Sequence, residues 1–175
     1  MKRIWHKLGG VIAMNPVEPQ AKKSIFWRCK MKYSNKEDFE KVDSFGIGAP
    51  NDGFAQYFSG NSFLKPLSDF MHGEFPLFNV TFEPGCRNNW HIHHADKGGG
   101  QVLICTAGEG WYQEEGKDAQ ELLPGTVIII PPNTRHWHGA KKDSWFSHIA
   151  IEVPGENTSN EWLEPVSDED YGKLK

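Results

Sequence analysis

The stretch Gly85-Cys86-Arg87-Asn88-Asn89-Trp90-His91-Ile92-His93 decides the architecture, because a glycine turn leads straight into a His-x-His pair. Side chains alternate faces along a strand, so His91 and His93 project together while Ile92 projects away. Gln101 follows eight residues after His93, and Gly108 seven residues after that. A second stretch repeats the pattern with Gly125, Pro131 and His136. Two imidazoles on one strand face, joined by a third from a distant strand, suit zinc, iron, manganese, nickel or copper. A His-x-His pair alone is weak evidence, since most histidines sit on the surface or hydrogen-bonded in the core. Here six of the eight histidines fall between His91 and His148, and glycine and proline stand at matching offsets in both hairpins. Together these features point to a metal site. His94 faces away from its neighbours and is expected at a turn or rim.

Working outward, the chain beyond Gly60 reads as strands. Phe78, Val80 and Phe82 alternate with Asn79 and Thr81 and share one face. Gln101 to Thr106 is nearly all apolar, as expected of a barrel strand buried on both sides, and Cys105 within it reads as packing. Trp111 to Glu114 follows a Gly-Glu-Gly turn, Thr126 to Ile130 is rich in β-branched residues, and Phe146 to Val153 closes the series. Turn signals at Pro84-Gly85, Gly108 to Gly110, Pro124-Gly125 and Pro131 to Asn133 punctuate the strands at short intervals, as in an all-β barrel or sandwich. A short helix is expected over residues 35 to 41, capped by Ser34 or Asn35, and another opening at Ser167 before Asp168 to Asp170. Trp137 points outward from His136 and His138 and reads as packing.

Composition narrows the rest. A chain of 175 residues is one domain with room for a sizeable core. A net charge of −4 gives no reason to expect nucleic acid or an anionic membrane, and no apolar run is long enough to span one. Three cysteines, odd in number and without C-x-x-C spacing, favour a reducing compartment, the cytoplasm. Met1-Lys2-Arg3 before Leu8 to Met14 faintly resembles a leader, but Gly9-Gly10 breaks the apolar stretch. Residues 1 to 30 read as a disordered extension, or as the product of a start placed ahead of Met31.

At the quoted residues the chain resembles the cupin superfamily. That family's first motif runs glycine, five residues, His-x-His, a short gap, an acidic residue, six residues and glycine. Gly85, His91, His93 and Gly108 match, whereas Gln101 stands for the glutamate and Lys97-Gly98-Gly99-Gly100 lengthens the gap. Of the second motif, Gly125, Pro131 and His136 match, while Asn133 and Ala140 stand for its glycine and asparagine. Asn133 is a mild change, because asparagine tolerates positive φ. The resemblance covers about residues 50 to 165. It implies an all-β, double-stranded β-helix (jelly-roll) barrel with short peripheral helices. Residues 1–45 then form an N-terminal extension, partly disordered or a short helix, and 46–175 the barrel with a C-terminal tail helix.

A narrower resemblance is carried by Phe82-Glu83-Pro84-Gly85, Trp90-His91-x-His93, Gln101, His136-Trp137-His138-Gly139-Ala140, Ser147-His148-Ile149-Ala150-Ile151 and the ending Glu161 to Tyr171. It is to small single-domain cupins that include manganese-dependent hydroxynitrile lyases, and to cupins associated with carboxymuconolactone decarboxylases. It implies Gln101 as a fourth ligand beside His91, His93 and His136. The expected cofactor is one divalent transition metal, manganese first, with iron, zinc or nickel also accommodated. It implies a catalytic histidine at His148, which would act as general base. Those lyases carry glutamine where Glu152 stands and smaller residues where Phe78 stands, so the substrate is expected to differ.

Three neutral imidazoles and a neutral amide leave the full 2+ charge on the metal. Such a site should hold metal less tightly than one with a glutamate, yet act as a stronger Lewis acid and attract anions. Gln101→Glu should therefore preserve the fold and tighten metal binding. The cavity is expected to be lined by Phe78, Val80, His138 and Glu152, with Trp145 adding apolar surface, around a small-molecule substrate. The expected function is metal-dependent lyase chemistry of the hydroxynitrile-lyase type. The alternatives are a metal-dependent oxygenase and a non-catalytic metal- or ligand-binding module. Seven tryptophans and eleven phenylalanines suggest an apolar patch that a homo-oligomer, most simply a homodimer, would cover.

Overall fold

The computed structural model describes residues 32–69 and 75–174; the expectations for the first 31 residues lie outside that range. Along the chain run β1 (Ala49–Pro50), β2 (Phe58–Ser59), β3 (Ser62–Pro66), β4 (Leu77–Phe82), β5 (Arg87–Asn88), β6 (His91–His94), β7 (Lys97–Gly98) and β8 (Gln101–Gly108). Then follow β9 (Gly110–Glu114), β10 (Gln120–Leu122), β11 (Val127–Ile130), β12 (His136–Ala140), β13 (Phe146–Glu152), β14 (Gly155–Glu156) and β15 (Ser159–Trp162). Helices α1 (Lys36–Glu40) and α2 (Asp168–Gly172) flank them.

Two antiparallel sheets face each other as in a jelly roll. One has the order β1-β3-β4-β13-β8-β11. The other runs β10-β9-β12-β5-β2, with β6 joining β12 to β15, while β7 and β14 form a separate ribbon. Alternation sends Leu103 and Cys105 of β8, Val80 and Phe82 of β4, and Ile128 and Ile130 of β11 into the space between the sheets, with Tyr112, Leu122 and Phe146. Gly108 has φ +71°, and a Cβ there would stand 1.8 Å from the Trp145 carbonyl oxygen, so this turn demands glycine. Asn133 takes positive φ (63°) where the second motif expects glycine.

A second cluster lies outside the first sheet. Phe39 of α1 stacks on Trp145 with ring centroids 5.6 Å apart, and Phe63 stacks on the same indole at 6.0 Å. Trp145 thus buries itself beneath the N-terminal segment rather than lining the cavity, a correction that follows from its place in the turn before β13. Asn35 caps α1, its Oδ1 accepting from the Asp38 amide at 2.9 Å. Ser167 caps α2 in the same way. α2 is held down by Arg87, which donates to the Val166 carbonyl and to Asp168, and by the Tyr171 hydroxyl donating to the Ala140 carbonyl.

The two apolar strands are less enclosed than their composition suggests. Val102, Ile104 and Thr106 of β8 are only half-buried on the outer face. On β11, an edge strand, Val127 is 54% and Ile129 74% exposed. No helix among the described residues is long and apolar enough to cross a membrane.

Candidate metal centre and cavity

Strand pairing assembles the site from residues far apart in sequence. On one wall β6 and β12 pair with His91 opposite His136, and β15 places Trp162 opposite His91. On the other, β13 and β8 pair with Glu152 opposite Gln101. Directly opposed residues on one face sit close enough for their side chains to interact.

His91, His93 and His136 each offer a ring nitrogen, and these atoms lie within 4.8 Å of one another. Each Nδ1 is already committed. It meets the Asn89 carbonyl at 3.0 Å in His91, the Thr134 carbonyl at 2.8 Å in His136, and Glu152 Oε2 at 3.1 Å in His93. Carbonyl and carboxylate oxygens only accept here, so the proton resides on Nδ1 and the lone pair on Nε2. Gln101 donates Nε2 to Glu152 Oε1 at 3.0 Å, which leaves its amide oxygen as the free acceptor. His93 Nε2, His136 Nε2 and Gln101 Oε1 are buried and find no hydrogen-bond partner among the described residues. A buried polar atom left so costs about 1–3 kcal/mol, and three in one site mark a place built for a ligand.

Electrostatics agree. Burial holds His91 well below its ordinary value, and its neighbours His136 and His93 push the same way. Burial lowers His136 to about 4. Both rings are therefore neutral at pH 7, the form that ligates. Three imidazole nitrogens with one amide oxygen suit manganese, iron, zinc or nickel.

His91, His93 and Gln101 border a cavity of about 310 Å³. Its apolar lining includes Phe54, Phe58, Leu64, Phe78, Val80 and Trp162, and its polar lining Asn51, Asn88, His138, His148, Glu152 and Asn160. His148 is fully buried, and its Nε2 stands 3.2 Å from His138 Nδ1. Asn88 fixes the proton positions. Its Oδ1 accepts from the His138 backbone N–H at 2.9 Å, so its Nδ2 faces the ring and donates to His138 Nε2 at 3.0 Å. His138 then carries its proton on Nδ1 and donates to His148 Nε2. Burial lowers His138 well below its ordinary value, and lowers His148 to about 3. Phe78, Val80, His138 and Glu152 thus share the cavity with His148, and Glu152 also bonds His93 and Gln101. His94 lies on the outer side of β6, bonded to Asn133 and Glu161.

Sequence reading missed Asn88, Phe54, Phe58 and Trp162 as members of the site. Trp162 stacks on His91 with centroids 4.8 Å apart and planes 25° apart, and Tyr57 stacks on the Trp162 ring at 4.6 Å. Nothing local in the sequence announces this. Trp162 arrives through the pairing of β15 with β6, across 71 residues of chain, from 91 to 162.

Comparison with known proteins is consistent with this geometry. The family model for a cupin domain matches residues 78–151. An (R)-mandelonitrile lyase from Granulicella tundricola is 38% identical over 134 residues, covering 75% of this chain and 98% of that protein. A cupin-like protein of known structure from Thermotoga maritima is 41% identical, with a TM-score of 0.65, covering 75% of this chain and 96% of that one. A cupin 2 conserved barrel domain protein from Rhodopseudomonas palustris, 15% identical with a TM-score of 0.53 over 72% of this chain and 81% of its own, shares the fold. The matched motifs, the barrel and the 38%-identical relative together place this chain in the cupin family.

Proposed function

We propose that this protein is a metal-dependent lyase that cleaves small cyanohydrin-like substrates to a carbonyl compound and hydrogen cyanide. The observation that carries this reading is the set of unpartnered lone-pair atoms, His93 Nε2, His136 Nε2 and Gln101 Oε1, grouped with His91 beside a largely apolar cavity. The 38%-identical (R)-mandelonitrile lyase supports this substrate class. His91, His93, His136 and Gln101 would hold a divalent metal, manganese first. When bound, the metal supplies Lewis acidity to an oxygen of the substrate.

The remaining steps belong to the chain's own residues. Phe58, Phe78, Val80 and Trp162 bind the organic part of the substrate and exclude water. The substrate hydroxyl displaces the Asn88 Nδ2 donor from His138 Nε2 and gives its proton there, and His138 passes its Nδ1 proton to His148 Nε2. The carbon–cyanide bond breaks, its electron pair leaves with cyanide, and the hydroxyl oxygen becomes the carbonyl. His148 and His138 return the proton to cyanide. Because burial disfavours their charged forms, they give that proton up readily.

In this reading the protein works in the cytoplasm, where the buried thiols Cys86 and Cys105, both pushed up to about 12 by burial, stay reduced. It pairs as a homodimer through the exposed aliphatic face of β11. The test is elemental analysis of wild type and the His91→Ala/His93→Ala double variant, followed by cyanide release from mandelonitrile. Stoichiometric metal in wild type alone, with turnover, is expected. Metal retained by the double variant would sink the ligand assignment. Bound metal without turnover on any cyanohydrin would favour a binding module or, with oxygen uptake, an oxygenase.

A further inference from the structure

We infer that Glu152 is a positioning residue that aims two metal ligands at once and, through its charge, tunes the site to neutral rather than anionic ligands. The inference rests on the metal reading above. Glu152 Oε2 accepts from His93 Nδ1 at 3.1 Å, and Oε1 accepts from Gln101 Nε2 at 3.0 Å. Each bond decides which atom of a ligand stays free. An acceptor at His93 Nδ1 keeps the proton there and the lone pair on Nε2. An acceptor at Gln101 Nε2 stops the amide from presenting its NH₂ group in place of its oxygen. The atoms left over, His93 Nε2 and Gln101 Oε1, are among the buried atoms without a partner.

Only a carboxylate offers an acceptor on both of its terminal atoms. An amide at position 152 would offer one acceptor and one donor. Its NH₂ group would then face either His93 Nδ1 or Gln101 Nε2, and one ligand would have to turn over.

The charge matters as well. A glutamine ligand leaves the metal's 2+ charge uncompensated within the ligand set, but Glu152 stands one hydrogen bond behind two of the four ligands. In this half-enclosed site its negative charge is felt across the cavity it lines. Chemically the site then lies between a His₃Gln and a His₃Glu centre. It should discriminate against carboxylates and small anions, and accept uncharged hydroxyl or carbonyl compounds that match the apolar walls.

The experiment measures Mn(II) affinity of metal-free protein by titration calorimetry, and azide affinity of the Mn-loaded protein by electron paramagnetic resonance. Glu152→Gln is expected to weaken Mn(II) binding about 10-fold or more, and to tighten azide binding about 5-fold or more. Glu152→Asp keeps the charge but shortens the reach, so it should weaken Mn(II) binding while leaving azide affinity within about 2-fold. It also serves if the glutamine variant folds poorly. A Glu152→Gln protein with wild-type affinity for either ligand overturns the inference alone. Wild-type protein that takes up no Mn(II) overturns the reading of the site itself, and the inference with it.

Discussion

Trp162 lies against His91 with ring planes 25° apart and centroids 4.8 Å apart, so the aromatic wall of the cavity is also the backing of a candidate metal ligand. Because β15 pairs with β6 through Trp162 and His91, backbone register and ring stacking lock the same contact. Trp162→Ala should cost about 2 kcal/mol, less than a fully buried tryptophan because this one is half-exposed. It should also raise the metal dissociation constant several-fold, by freeing the His91 ring. Trp162→Phe should recover most of both. Thermal melts and metal titrations would check this, and an alanine variant with unchanged metal affinity would reduce Trp162 to a cavity wall.

The structure revises the expectation for Gln101→Glu. A glutamate there loses the hydrogen bond from Gln101 Nε2 and sets two carboxylates face to face across β8 and β13. In metal-free protein the single change should destabilise the fold by about 1–2 kcal/mol. Exchanging the pair, Gln101→Glu with Glu152→Gln, should restore stability. A double-mutant cycle by chemical denaturation reads the coupling directly. Additive effects would show that the two side chains do not interact.

His148→Ala leaves His138 Nδ1 without an acceptor and opens a cavity in the core, so it should cost about 2 kcal/mol. Metal content should stay intact. If His148 receives the substrate proton, turnover per folded molecule should drop about 100-fold or more. Turnover per folded molecule near wild type would leave His148 a structural role only.

Acid should weaken the fold partly through this same histidine. Burial lowers His148 from its ordinary 6.5 to about 3, so between those values the unfolded chain binds a proton that the folded chain refuses. Its contribution to stability is thus fully present above about 6.5, declines by up to about 1.4 kcal/mol per pH unit as pH falls, and levels off below about 3. The titratable groups that face it are His138 from β12 and, across the strand pairing, Cys105 of β8; neither offers a negative charge to hold the proton. Metal-free wild type should therefore lose stability more steeply than a His148→Asn variant over about pH 7 to pH 4. Parallel curves would remove His148 from the account.

Val127 and Ile129 stand on the outer face of an edge strand, where exposed aliphatic surface invites pairing with another chain. Val127→Lys/Ile129→Lys should leave metal binding untouched and yield a monomer in sedimentation at micromolar concentration. Wild type that already sediments as a monomer would rule out the homodimer.

His91, His93 and His136 were legible in the sequence because their spacing repeats what a strand and its turn impose locally: alternation of faces, with glycine and proline turns ahead of the histidines. The all-β class was legible for the same reason, since short apolar strands and regular turns are local facts, whereas the jelly-roll form followed only from the family resemblance. Gln101 and His148 were legible only through resemblance. Partnerships across the sheets were not legible. Glu152 could be placed on the face of His148 by counting residues, but that it bonds Gln101 and His93 follows from the register of β13 on β8 and from the closure of one sheet over the other. Trp145 shows the converse. Its sequence neighbours lie near the cavity, yet it stacks on Phe39 outside the sheet, because the N-terminal segment folds back over that face. Periodicity along the chain is written in the sequence; which strand lies beside which, and in what register, is decided by long-range packing that no local window contains.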